Sequence, residues 1–314
     1  MMNNNPRFPN RFPPPFASAW GDDAFGLWAD FSLPASEHSE SVTQRLRWIE
    51  AGSFLMGSPD DEPERLDHES PQHEVTISQG FWLADTACTQ ALWLAGMGGE
   101  NPSRFHDDLN QPVEQVSWHA VQTFLQRLQT LLPDCQVDLP SEAEWEYACR
   151  AGTTTPFSFG VNISPQQVNY DGNSPYSGGV EGEYREKTVP VKNLPTNPLG
   201  LYEMHGNVWE WCKDGQRTYD EQVQLDPLGP LAASGEDQPR VIRGGSWDNR
   251  ARRVRSAYRR EFPPGDAFSG LGFRVCLRYI QSGHAAVGLE KAPNTVRKAD
   301  ELSESDLFSD WNIF

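Results

Sequence analysis

Glycine and proline interrupt this sequence so often, 26 and 25 times in 314 residues, that long regular elements have little room. A helical bundle is excluded, and an irregular, loop-rich architecture with few long elements is expected. Hydrophobic residues make up 37% of the chain, yet 11 Trp, 16 Phe and 8 Tyr supply enough large side chains to close a core. A net charge of −18 opposes general attraction to nucleic acid or anionic lipid, since both need a positive field. No run of about 18 apolar residues is present to insert into a membrane. The opening MMNNNPRFPNRFPPPF has no apolar stretch of secretory type, so a cytoplasmic location is expected. Cys88, Cys135, Cys149, Cys212 and Cys276, odd in number and widely spaced, read as reduced, buried thiols.

Four regions are expected. Residues 1–16 form a flexible Pro/Asn-rich leader, 17–44 an aromatic extension, and 45–280 one domain. Residues 281–314 form a flexible tail with six acids against three basic residues and an aromatic end, LFSDWNIF, that offers a docking element. Within the domain, RWIEAGSFLMGS, HEVTISQGFWLAD and GLGFRVCLR read as strands from their alternation and β-branched or aromatic content. Two helices stand out. One starts at a Ser117 cap and carries Val121, Phe124, Leu125, Leu128, Leu131 and Leu132 on one stripe, ending before Pro133. The other starts with the capping box Ser141 to Glu144 and stops at Gly152.

In GNVWEW, Trp209 and Trp211 alternate around Glu210, so an extended backbone puts both indoles on one side and the carboxylate on the other. The indoles read as a buried ladder. The carboxylate needs a partner, either calcium or an arginine. Gly206 and the pair Gly244–Gly245 mark tight backbone approaches.

GSFLMGSPDDE at 52–62, LPSEAEWEYACRAGT at 139–153, GLYEMHGNVWEW at 200–211 and RVIRGGSWDNRARRVRSAYRR with GLGFRV inside 240–275 occur together and in order. This set resembles the formylglycine-generating enzyme, or sulfatase-modifying factor, superfamily over residues 45–280. The resemblance implies a variant of the C-type lectin fold, α+β with little regular structure, and structural calcium. In calcium-binding members, the acid of the W-E-W stretch joins an oxygen side chain seven residues earlier and two carbonyls between them. Those positions are Glu210, Glu203, Gly206 and Val208, with Glu203 standing where the family usually has Asn. A second family site falls on Asn169, Tyr170, Glu183 and Arg185.

Two departures bear on activity. The oxidase members hold copper through two cysteines that follow G-G-S, but no cysteine lies between Ser246 and Arg259 here, and Trp247, Asp248 and Asn249 cannot replace soft thiolates. The sulfoxide-synthesising branch holds iron through histidines in an H-x-x-x-H-x-E helix, which is absent. His68 and His73 flank Pro71, which forbids a helical ligand pair, and read as surface turn histidines. His119 and His205 are expected to bond nearby backbone groups. Copper and iron are therefore unsupported, and no catalytic residue is assigned.

From Arg240 to Arg260, eight arginines (Arg240, Arg243, Arg250, Arg252, Arg253, Arg255, Arg259 and Arg260) face a single acid, Asp248. Internal pairing accounts for Arg243, Arg255 and Arg259, while the others suit an exposed patch for carboxylate or phosphate. The stretch 243–275 further resembles the variable region of proteins diversified by retroelements, in which fixed words alternate with varying positions. Gly244–Trp247, Ala251–Arg259 and Gly272–Arg274 match the fixed words. The resemblance implies a varying face of Asp248, Asn249, Arg250, Arg253, Tyr258, Arg260, Glu261, Phe262, Asp266, Phe268 and Ser269, which with Trp247 makes the expected contact surface for an unidentified protein or small molecule. The expected function is a non-oxidase binding module, with a metal-dependent oxidoreductase or sulfatase-maturation enzyme of non-standard site as the alternative.

Overall fold

The structure is a computed structural model that describes residues 8–34, 41–231 and 238–279; the tail 281–314 lies outside the described residues. In chain order its first half contains β1 (Ala19–Asp23), β2 (Gly26–Leu33), β3 (Val42–Ile49), β4 (Gly52–Met56), β5 (His73–Ile77), β6 (Phe81–Ala84), α1 (Gln90–Met97) and α2 (Trp118–Leu131). There follow β7 (Cys135–Asp138), α3 (Glu142–Arg150), β8 (Trp209–Trp211), β9 (Gln224–Leu225), β10 (Arg240–Arg243), β11 (Arg259–Phe262), β12 (Leu271–Gly272) and β13 (Cys276–Tyr279). Three sheets result, ordered β1-β2-β3-β6-β13-β7, β11-β10-β8-β12 and β4-β5-β9.

The six-stranded sheet changes the expected boundary at residue 45. β2 pairs with β3 from Trp28↔Arg47 to Leu33↔Val42, and Ala29, Phe31 and Leu33 enter the core. Residues 19–33 are thus part of the sheet. The polar run PASEHSES after β2 imitates a linker, and only pairing across it reveals the partnership.

Both expected helices form. Ser117 Oγ accepts from the Ala120 amide at 3.2 Å, and Val121, Phe124, Leu125 and Leu128 are buried. Leu131 is exposed because the helix ends there, and Leu132 folds back into the core in its place. The box at α3 closes in both directions, with the Glu144 amide on Ser141 Oγ at 3.2 Å and the Ser141 amide on Glu144 at 2.7 Å. Its left-handed stop is Ala151 (φ 49°), one residue before Gly152. α1, capped by Thr89, lacks a polar face, so amphipathic spacing could not announce it.

Two main cores lie against the large sheet. In the first, Trp82, Trp209, Trp211, Phe124 and Phe273 pack together; in the second, Phe81, Leu83, Trp145, Cys149, Met204 and Cys212 do so. The run GLGFRVCLR is two strands rather than one. β12 pairs in parallel with β8, whereas β13 joins β6 and β7, and the chain changes sheet at Arg274. All five cysteines are free and buried.

Candidate functional site

The arginine-rich segment divides by depth. Arg243, Arg255, Arg259 and Arg274 are fully buried, each against carboxylates. Arg243 pairs with Glu146, and Arg255 with Glu62 and with Glu69 at 2.7 Å. Arg259 Nε meets Glu142 at 2.6 Å, and Arg274 grips both oxygens of Glu210 at 2.7 Å. Such forks cancel charge that could not otherwise be taken from water. Burial pushes the Glu146 carboxyl up, but Arg150 and Arg243 outweigh it and leave it below its ordinary value. Arg240, read as a candidate for the exposed patch, is also buried, with its guanidinium over the Trp118 ring at 4.8 Å.

Gly245 (φ 72°) makes the turn that brings this segment together. A Cβ there would stand 2.5 Å from Val254 Cγ1, so the chain folds onto the short 3-10 turn Ala251–Val254. Only some of its residues then project. Asp248, Arg250, Arg260, Glu261 and Asp266 are exposed, and Arg253, Phe262, Phe268 and Ser269 are half-buried.

Three of the expected surface residues are not surface. Tyr258 is 5% exposed and packs with Trp209 at 5.9 Å in the first core. Asn249, 8% exposed, turns its Oδ1 to the Ser246 amide. Trp247, also 8% exposed, donates Nε1 to the Ser269 carbonyl at 2.8 Å and so ties the two ends of the segment.

Two clusters emerge. The rings of Phe262 and Phe268 meet at 5.3 Å, with Arg260 over Phe262. Trp247 stacks on Tyr184 at 6.2 Å and meets Phe105 edge-on at 5.3 Å. Tyr184 and Phe105 were not anticipated, because nothing local ties GEYREK or SRFHDD to residue 247; the one available hint is an aromatic residue set among charges. Burial, then Asp248, Asp171 and Glu186, raise the Tyr184 hydroxyl. The Phe105 amide donates to the buried Glu114 at 2.8 Å, which holds the ring's loop.

The two expected calcium sets behave differently. Arg274 holds both oxygens of Glu210 and Trp145 Nε1 donates to one of them at 2.7 Å, so a cation would have to displace a buried guanidinium. Glu203 instead faces the amides of Lys192 and Leu194, and burial raises it to about 7. Gly206 (φ 77°) lies against the Asn169 carbonyl, and its own carbonyl accepts from the Val208 amide. Glu203, Gly206, Val208 and Glu210 therefore do not fit calcium. In the second set, buried Asn169 leaves Oδ1 without a hydrogen-bond partner, and exposed Glu183 pairs with Arg185 at 3.0 Å. An orphaned buried oxygen suits a hard cation.

His205 is buried, with Nδ1 donating to the Val254 carbonyl at 2.7 Å and Nε2 accepting from the Ser158 amide at 3.1 Å. Burial lowers it to about 4. Cys149 lies 3.7 Å from Nε2, but burial raises the thiol to about 12, so this pair holds the core rather than a nucleophile. His73 is not a surface turn residue: it lies buried in β5, with its ring 4.6 Å from Tyr219. His68 is exposed and bonds the Arg259 carbonyl. Among the described residues no helix is long and apolar enough to cross a membrane.

Residues 31–279 match the family described as the sulfatase-modifying factor enzyme 1-like domain. The formylglycine-generating enzyme of Streptomyces coelicolor is 35% identical over 71% of this chain and 73% of its own length. Serine/threonine-protein kinase Pkn1 of Chlamydia trachomatis is 29% identical over 74% of this chain, which spans 38% of that kinase. Among solved structures, Treponema denticola variable protein 1 superimposes with a TM-score of 0.63 at 26% identity, covering 79% of this chain and 99% of that one. The chain belongs to the family of sulfatase-modifying factor enzyme 1-like domains.

Proposed function

We propose that this chain is a non-oxidase member of its family, a ligand- or protein-binding module whose contact surface lies within residues 247–270, and that this surface is diversified by a retroelement. The observation that carries the reading is the division by depth. Arg243, Val254, Arg255, Ala257 and Arg259 are buried, whereas Asp248, Arg250, Arg260, Glu261 and Asp266 between and beyond them are exposed. Exposed positions on a rigid frame accept any side chain at little cost to stability. The likeness to a variable protein supports the same reading, and so does the burial of every cysteine, which leaves no accessible thiolate pair for copper.

The test is to sequence codons 243–275 in sibling isolates together with the flanking DNA. Substitutions confined to the exposed and half-buried positions, beside a near-copy of the segment and a reverse transcriptase gene, are the expected result. An invariant segment rejects diversification. Aldehyde formation from a cysteine peptide by copper-loaded protein rejects the non-oxidase reading.

Asn169, Tyr170, Glu183 and Arg185 are proposed to hold a structural calcium ion, the first and third through side-chain oxygens and the others through carbonyls. Calcium would satisfy the Asn169 oxygen and draw Glu183 from its exposed pair with Arg185. Raised thermal stability in millimolar calcium, reversed by chelator and lost in Asn169→Ala, is the expected outcome.

A further inference from the structure

The geometry points to a second binding site, for small hydrophobic cations, in a cleft of about 760 Å³ between the β1–β2 turn, β4 and the C-terminal end of α3. No residue of the 247–270 surface lines it, so it stands independently of the proposed function.

Its walls are apolar and open to solvent. Phe25 and Leu55 line it while 39% and 44% exposed, and Phe54 packs on Tyr147 at 5.3 Å beside them. Phe25 is held in place rather than hanging free. It lies against Gly200, where a Cβ would come within 2.9 Å of it, and under the Arg47 guanidinium at 5.3 Å. Arg47 is itself neutralised by Asp23 at 2.7 Å. A volume of this size accommodates a drug-sized apolar body.

The charge around those walls has one sign. Asp22, Glu50 and Glu74, all exposed, line the cleft. Arg150 is the one basic lining residue, and it is buried, with Nε on Glu146 and Nη2 on the Gly57 carbonyl, both at 2.9 Å. Its donors are thus committed to the interior. Three carboxylates beside a low-dielectric wall attract a positive head and repel a negative one, and the molecule's net charge of −18 acts in the same direction. The ligand class that satisfies both features is a protonated amine on an aromatic or branched aliphatic body.

Three probes that share one body separate the contributions: phenylbutylamine, phenylbutanol and phenylbutyrate, titrated calorimetrically into the full chain at low salt. The amine is expected to bind at least about tenfold more tightly than the alcohol, which corresponds to about 1.4 kcal/mol, with the carboxylate weakest. The triple substitution Asp22→Asn, Glu50→Gln and Glu74→Gln should bring the amine to the affinity of the alcohol without moving the melting temperature, since all three residues are exposed. Leu55→Arg should remove binding of the amine and the alcohol. No amine binding at millimolar concentration, a preference below tenfold, or a preference that survives loss of all three carboxylates overturns the assignment.

Discussion

Glu146 accepts from two guanidiniums, Arg150 at 2.9 Å and Arg243, and its other contact is the Gly57 amide, also at 2.9 Å. Removing such a carboxylate strands buried cations, whereas an exposed arginine of the same segment has little to lose. The contrast is sharp within the arginine-rich stretch itself. Tyr258→Ala should cost about 3 kcal/mol by opening the first core, and Arg250→Ala should stay within about 0.5 kcal/mol, as urea unfolding midpoints would show. His205 gives a second expectation. Burial lowers it from 6.5 to about 4, so the unfolded chain takes up a proton that the folded chain refuses. Its contribution is complete above pH 6.5 and is lost as pH falls towards 4, by on the order of 3 kcal/mol. Unfolding midpoints measured across that window should slope less in His205→Asn than in the parent chain.

β2 is the element on which the large sheet depends at its outer side. It buries Ala29, Phe31 and Leu33 and satisfies the edge of β3 along six residue pairs. A chain lacking residues 1–34 would expose that edge and uncover the core beneath it, and strand edges of this kind recruit other chains. Size-exclusion chromatography should show aggregates in place of the peak of the full chain, and a well-behaved species of the parent's oligomeric state would contradict the assignment of β2 to the domain. Elements differ in how openly the chain announces them. α2 and α3 carry their caps within three residues, so side-chain chemistry alone located them. α1 has no polar face, and β2 is separated from its partner by a polar stretch of sequence, so neither carries a local signature. β8 is intermediate. Its alternation placed Trp209 and Trp211 on one side and Glu210 on the other, and the cores on either side of it agree, but that Arg274 would answer the carboxylate depends on a residue 64 positions away.

At the scale of the molecule, burial of all five cysteines makes a simple expectation. A thiol-reactive dye should find no rapidly reacting group in the native state and all five after denaturation, because burial raises every one of these thiols and the thiolate is the reacting form. One fast-reacting cysteine would reopen the question of a relocated oxidase centre. The family, the loop-rich α+β class and the two capped helices were legible because each is written in short words of Gly, Trp, Ser and Glu whose chemistry acts within a turn or two. Which arginines are structural and which are free to meet a partner was legible only for the three embedded in a motif. Arg240, Arg250 and Arg260 carry the same side chain in the same segment, and Arg240 is buried while the other two are exposed. The union of Trp247 with Tyr184 and Phe105, and the acid-rimmed cleft assembled from the first strands, β4 and α3, likewise join residues far apart in the chain. Caps and turns are determined by neighbours in sequence, but charge neutralisation, ring stacking and cleft lining depend on distances in space, and those distances are set only when the sheets close.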